Sequence, residues 1–136
     1  MPLTDIDSQR LGDSVADKLG NRNLIINGAM QVAQRSTSET GVTGDGYHTV
    51  DRARIDLNGL GTHTVSQSTD APEGFSNSFK VECTTAQASP ATGAYFVYMQ
   101  RIEGQNLQML KKGTSNAEQV TVSFYVKSDK TGNYTL

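Results

Sequence analysis

Apolar and polar residues alternate with a period of two along much of the chain from Asn23 onward. The pattern is clearest in four runs, YHTVDRARIDLNG, THTVSQST, SFKVECTTA and EQVTVSFYVKS. Such alternation predicts β-strands with one buried face, because successive side chains of a strand point to opposite sides of the sheet. Turn signals separate the runs, and Asn58-Gly59-Leu60-Gly61 is the strongest of them. The spacing predicts about seven short strands and almost no helix.

Four other segments carry more specific predictions. The run NLIINGAMQV reads as the first strand, in which Asn27-Gly28 marks a hairpin turn, a bulge or a bend. The run AYFVYMQRIEG is the most apolar and reads as a central strand. Residues 103–117 read as a short connection with one helical turn, which Gly113 could cap. Residues 118–136 read as a hairpin that turns at SDKTG.

These elements predict an all-β protein, an antiparallel β-sandwich of the jelly-roll type over residues 23–136. A jelly roll usually needs eight strands, whereas NYTL stands in mid-strand at Leu136. We therefore expect the sandwich domain to be incomplete at its C-terminal side and the native polypeptide to be longer. A native mass near 14.7 kDa would contradict this expectation.

Residues 1–22 have a different pattern, with apolar side chains at Ile6, Leu11, Val15 and Leu19. The last three are four residues apart, which would place them on one face of a helix. A stripe this narrow cannot stabilise an isolated helix. The segment is either a frayed arm or a short arm or helix that packs against another chain. On the second interpretation these four side chains bind the partner.

Charge and composition exclude several classes of function. The 136 residues carry 12 Lys and Arg against 14 Asp and Glu, a net charge of −2. This balance lacks the basic patch of a nucleic-acid-binding protein and does not favour anionic membranes. No window approaches the roughly 18 apolar residues of a membrane helix. The N-terminal residues show no signal-peptide pattern, so we expect synthesis in a cytoplasm.

Catalytic and metal-binding patterns are weak. The single Cys83 lies in an alternating run and reads as a small buried side chain. No motif accompanies His48 or His63. Carboxylates that could form an acid–base or calcium site occur at Asp45, Asp51, Asp56, Glu82 and Glu103. None has a motif spacing, so the sequence predicts no enzyme, no cofactor and no metal site.

Sugar binding is a stronger possibility, because sugar sites often use exposed aromatic rings beside polar side chains. The chain has no Trp but five Tyr. In SFYVKS, Phe124 belongs to an inward row with Val122 and Val126, so Tyr125 faces outward. Tyr47 and Tyr125 are the glycan-binding candidates.

Three stretches together resemble a family of tail-fibre and related virion structural proteins of bacteriophages, particularly marine phages. They are NLIINGAMQVAQRSTS, YHTVDRARID and RIEGQNLQMLKKGTSNAEQVTVSFYVKSDKTGNYTL. The family pattern reads N-L-I-I-N-G-x-M/F-Q-x-x-Q-R-G-T-S, then D-R-W, I-E-G-Q-N-L-Q and S-F-W-V-K-S. The chain departs from it at Ser36, Ala53 and Tyr125, where the family has Gly, Trp and Trp. The two lost Trp weaken any inference of a sugar platform from the relatives.

The resemblance implies a jelly-roll sandwich similar to carbohydrate-binding modules, usually in homotrimeric fibres. It implies a virion structural protein of the tail, assembled in the host cytoplasm and serving assembly and host attachment. Residues 1–22 would then dock on other chains or on other virion tail proteins. The alternative is a lectin-like carbohydrate-binding module that itself recognises host surface glycan. A remoter alternative is a polysaccharide depolymerase whose catalytic part lies beyond Leu136.

Overall fold

The computed structural model describes residues 23–136. These residues form five strands, which are β1 (Ser38–Val42), β2 (Arg54–Asn58), β3 (Gly61–Ser68), β4 (Ser78–Ala86) and β5 (Tyr95–Met99). One 3₁₀ helix follows at Gly104–Leu110. All paired strands are antiparallel, so the all-β prediction is confirmed for this part of the chain. The N-terminal residues proposed to bind a partner, Ile6, Leu11, Val15 and Leu19, lie outside the described range.

The strands form two separate sheets. One has the order β1-β3-β4, and Val65 of β3 lies opposite Val81 of β4. The other pairs β2 with β5, and Leu57 lies opposite Phe96. The predicted turn between Asn58 and Gly61 therefore passes from one sheet to the other. Gly61 has φ +85°, and an added Cβ would overlap the carbonyl oxygen of Thr85, so only glycine fits there.

Side chains from both sheets contribute to one core. Its buried members are Val42, Ile55, Leu57 and Val65, and the half-buried Leu60, Phe79 and Phe96 pack against them. Val50 and Ala53, which precede β2, are also buried. The alternation in YHTVDRARIDLNG identified the buried Ile55 and Leu57 correctly, because β2 has one face on the core. Val50 lies before β2 and out of phase with this alternation, and the buried Thr49 was not predicted.

The predicted first strand is wrong. No strand is assigned between residues 23 and 37, and a turn occupies residues 26–29. The amide of Met30 donates to the carbonyl of Asn27 at 2.9 Å. The Asn27 side chain also bonds to the backbone of Gln31 and Val32, so a local polar network replaces sheet pairing.

The run AYFVYM is not a central strand. Within the described residues β5 pairs only with β2. Tyr95, Val97 and Tyr98 are exposed by 40–45%. High local hydrophobicity predicted burial on both faces, but no described element covers the outer edge of this strand.

The C-terminal hairpin is also absent, since no strand is assigned in residues 111–136. The bend at SDKTG is closed by side chains, with the Ser128 and Tyr134 hydroxyls 2.6 Å apart. The connection before it does carry the predicted helical turn, but Lys111 rather than Gly113 takes the left-handed conformation at its C-cap. Cys83 is exposed, contrary to prediction, because nothing described covers that part of β4.

Candidate functional site

A polar cleft of about 520 Å³ opens between residues 34–35 and residues 47–52. Its walls are Gln34, Arg35, Tyr47, Asp51 and Arg52. The volume lies within the roughly 300–1,000 Å³ that is usual for small-molecule sites. Tyr47, one of the two glycan-binding candidates, therefore lines this cleft.

Asn27 organises the first wall. Its side-chain oxygen accepts the amides of Gln31 and Val32, both at 3.0 Å. Its side-chain nitrogen donates to the carbonyls of Val32 and Asp51, at 2.9 and 3.0 Å. Asn27 takes this position with φ +57°, which Asn tolerates better than most residues. The irregular segment after residue 23 is thereby shaped and tied to Asp51.

Two further hydrogen bonds join the walls. The amide of Asp51 donates to the carbonyl of Val32 at 2.9 Å. The amide of Gln34 donates to the Asp51 carboxylate at 3.0 Å, across 17 residues of sequence. The cleft therefore has backbone-to-backbone and side-chain ties at its base, which limit how far its walls can move apart.

Arg52 lies in a strained backbone conformation with φ +69°. Its guanidinium donates to both carboxylate oxygens of Glu103, at 3.0 and 3.1 Å, and to the carbonyl of Arg101 at 3.0 Å. The hydrogen bond to Glu103 raises the pKa of Arg52, and the same bond lowers the pKa of Glu103. This bidentate pair holds Arg52 at the edge of the cleft and ties it to the residues that follow β5.

Tyr47 is held next to β2. Gly46 exchanges two backbone hydrogen bonds with Ile55, at 2.9 and 3.0 Å. The guanidinium carbons of Arg35 and Arg54 lie 5.6 and 5.7 Å from the centre of the Tyr47 ring. Both distances suit cation–π contact. Arg54 is also paired with Asp56 at 2.6 Å.

The charged side chains that line the cleft differ in whether they form ion pairs. Among the described residues, Arg52 is paired with Glu103, whereas neither Arg35 nor Asp51 has an ion-pair partner within 4.0 Å. The cleft therefore presents a guanidinium and a carboxylate with unused hydrogen-bonding capacity, together with the Gln34 amide and the Tyr47 ring. Such a set can donate to and accept from the same ligand.

The other candidates from the sequence are dispersed. Tyr125 is 75% exposed, and its ring meets that of Phe75 at 5.7 Å, away from the residues that line the cleft. Of the carboxylates considered for catalysis, Asp56, Glu82 and Glu103 are in ion pairs, with Arg54, Lys80 and Arg52 respectively. Only Asp51 lines the cleft. Within residues 23–136 no three metal-ligating side chains converge.

Sequence reasoning missed Gln34, Arg35 and Arg52 as members of the site. Each belongs to an irregular segment, where no periodicity indicates which way a side chain points. The only available signal was the polar QR step that follows an apolar run, and that signal is common. Their proximity depends on the long-range bonds of Asn27 and Asp51.

No family model, curated protein or solved structure matches this chain. In the part of the chain that the structure describes, no helix has the length and hydrophobicity needed to cross a membrane.

Proposed function

We propose that this chain is a virion structural protein of a bacteriophage tail, either a tail fibre or its virion-proximal N-terminal segment. Its role is assembly and host attachment, without catalysis, and its completed fold is a jelly-roll sandwich. The motifs of residues 23–136 that resemble tail-fibre proteins support this proposal. The two sheets that share one core are compatible with a sandwich.

The observation that carries the proposal is an uncovered apolar row in residues 120–126. Val120, Val122, Phe124 and Val126 are exposed by 56, 63, 57 and 70%. Single exposed apolar residues are ordinary, but a contiguous row of them marks an interaction surface. A subunit of a larger assembly would leave such a row exposed when it is considered alone.

The magnitude of the effect favours association. Full burial of a Val or Phe side chain contributes about 1.5–3 kcal/mol. The four side chains are 56–70% exposed, so association can gain only about that fraction of the full value for each. This gain offsets part of the cost of association, which is roughly 4–15 kcal/mol. The row is thus sufficient to strengthen an oligomer that has further contacts, and a homotrimer would supply three copies of it.

Two contacts fix the row relative to the sheets. The Tyr125 ring packs edge to face on Phe75. The Lys127 ammonium lies 2.7 Å from the Asp70 carboxylate. Both partners belong to the connection between β3 and β4. The segment that carries the row therefore lies next to this connection.

The test is the mass in solution of the full chain and of two double variants, measured by size-exclusion chromatography with light scattering. We expect the wild type to be an oligomer and Val122→Asp with Phe124→Asp to be a monomer, since the variant places charges in the row. Thr121→Asp with Ser123→Asp is the matched control, which adds the same charges on the alternate positions. The control should remain oligomeric. A monomeric wild type would refute the assembly proposal.

The N-terminal arm has a separate test. The mass of residues 1–136 is compared with that of a chain that starts at Asn23. If Leu11, Val15 and Leu19 bind another chain, the shorter protein should have fewer subunits or should dissociate at a higher protein concentration than the full chain. Equal masses for the two proteins would remove the arm from the assembly.

The second candidate function is that of a lectin-like module that recognises host surface glycan. The cleft next to Tyr47 favours it, because an aromatic ring, an amide and two charged side chains without ion-pair partners among the described residues line one opening. The two candidates are compatible, since an attachment protein can be both a structural subunit and a receptor binder.

A further inference from the structure

We propose that the cleft formed by Gln34, Arg35, Tyr47 and Asp51 binds one neutral hexose unit of a surface polysaccharide through its hydroxyl groups. This inference rests on the host-attachment part of the proposed function and deepens it, because it names the site and the class of ligand. Tyr125 has no part in this site.

The charges in the cleft favour a neutral ligand. A carboxylate or sulfate that approached Arg35 would also face Asp51, and a cation that approached Asp51 would also face Arg35. Within the described residues Arg35 and Asp51 lack an ion-pair partner, whereas the charge of Arg52, which also lines the cleft, is balanced by Glu103. A singly charged ligand of either sign would be attracted by one group and repelled by the other, so it gains no net electrostatic advantage over a neutral ligand.

Sugar hydroxyls match this pair of groups, because each hydroxyl both donates and accepts hydrogen bonds. A guanidinium only donates and a carboxylate only accepts, so adjacent hydroxyls of a hexose can bond to both at once. Bonds to charged groups are shorter and stronger than bonds between neutral groups. One oxygen of Asp51 already accepts the Gln34 amide at 3.0 Å, which fixes the direction of its second oxygen.

The site is held in place before a ligand arrives. Arg35 lies against the Tyr47 ring, with its guanidinium carbon 5.6 Å from the ring centre. Four non-glycine residues in the described chain have positive φ, and three of them, Asn27, Met30 and Arg52, belong to the segments that build or brace the cleft. Strained backbone of this kind is concentrated at functional sites. Preorganisation reduces the entropic cost of binding.

The experiment is an NMR titration of the ¹⁵N-labelled full chain, followed by its amide ¹H–¹⁵N signals. Glucose, galactose and mannose are added in separate titrations. Glucuronate and galactose 6-sulfate are the charged comparison ligands. We expect at least one neutral hexose to cause saturable shifts of the amides of residues 34–35 and 47–52. The charged comparison ligands should bind more weakly than their neutral counterparts.

Two variants test the chemistry. Asp51→Asn keeps an oxygen for the Gln34 amide but removes the charge, and Arg35→Gln removes the guanidinium. Each should weaken binding by about tenfold or more, since a bond to a charged group is lost. Asp129→Asn and Lys112→Gln remove one negative and one positive charge from exposed positions outside the cleft and should leave binding unchanged. Thermal unfolding verifies that every variant is folded.

Three results would overturn the proposal: no saturable shifts with any neutral hexose, binding of the charged ligands alone, or unchanged affinity in folded Asp51→Asn and Arg35→Gln. Light scattering on the same samples separates this inference from the assembly proposal. An oligomer that binds no sugar would refute the sugar site alone. A monomer that binds sugar would refute the assembly alone.

Discussion

Two segments of this chain have the same alternating pattern and opposite environments. In β2, Ile55 and Leu57 are exposed by 0 and 4%. In the C-terminal segment, Val122 and Phe124 are exposed by 63 and 57%. Both rows have the spacing of an amphipathic strand. Their difference lies in what faces them, because β2 pairs with β5 and packs on the first sheet, whereas residues 120–126 pair with no described strand.

The comparison shows that alternation predicts a face that can be buried and does not supply the surface that buries it. The sheet around β3 has its second layer within the described chain. The C-terminal row has only the edge contact of Tyr125 with Phe75 and the ion pair of Lys127 with Asp70. We therefore expect substitutions in the two regions to differ in size and in kind.

The largest expected effect is that of Ile55→Ala. Truncation of this buried side chain should lower the free energy of unfolding by about 2–5 kcal/mol. The matched change Val122→Ala removes an exposed apolar side chain and should alter the stability of the monomer by less than about 0.5 kcal/mol. Urea unfolding at a protein concentration that favours the monomer measures both. Equal losses would mean that residues 120–126 are buried in solution by their own chain.

The next largest loss of stability is expected for Gly61→Ala. The added methyl group would overlap the carbonyl oxygen of Thr85 and would occupy a backbone with φ +85°. We expect a loss of about 2–4 kcal/mol from strain and overlap together. Gly93 has a similar φ of +89° but no atom within 4 Å of an added Cβ. Gly93→Ala should therefore cost only about 1–2 kcal/mol. The difference between the two, measured by urea unfolding, isolates the close packing at the turn between the sheets.

Asn27→Ala should cost about 1–3 kcal/mol, since the partly buried side chain makes several backbone hydrogen bonds. The same variant should abolish the amide shifts expected from a sugar in the cleft, because Asn27 positions Asp51. Asn23→Ala is the control, with one local bond to the amide of Ile25. Thermal unfolding and NMR spectra of both variants measure the effects. A cleft that remains intact in Asn27→Ala would show that the bonds of Asp51 to Val32 and Gln34 suffice.

The smallest expected effect is a dependence of the free energy of unfolding on pH, which the buried His63 should cause. Burial lowers the pKa of His63 below its ordinary value of 6.5. Its Nδ1 atom has no hydrogen-bond partner among the described residues, and its ring lies 5.8 Å from that of Phe96. The unfolded chain then binds the proton more readily than the folded one. The free energy of unfolding should keep its full value above about pH 6.5 and should decline as the pH falls through that value.

Urea unfolding of the wild type and of His63→Leu between pH 7.5 and 5, which spans the ordinary His value, measures this effect. The substitution should reduce the decline, because the remaining groups are shared by both proteins. An identical decline in both proteins would show that His63 does not cause it.

The fold was partly predictable. Strands β2, β3 and β4, the turn at Asn58–Gly61 and the buried side chains of Ala53, Ile55 and Leu57 follow from local alternation and turn chemistry. The site was less predictable. Tyr47 could be named from its residue type alone, whereas Gln34, Arg35 and Arg52 have no periodic signal and meet Tyr47 only through contacts between distant segments.

The sequence by itself determined which faces of the strands could be buried and where the chain turns, because both depend on side chains a few residues apart. The tertiary structure decided which strands share a sheet, that Asn27 bends the segment after residue 23, and that Cys83 and residues 120–126 stay exposed. These features depend on pairing between segments that are distant in sequence, and a local pattern does not specify which partner completes a sheet or covers a face.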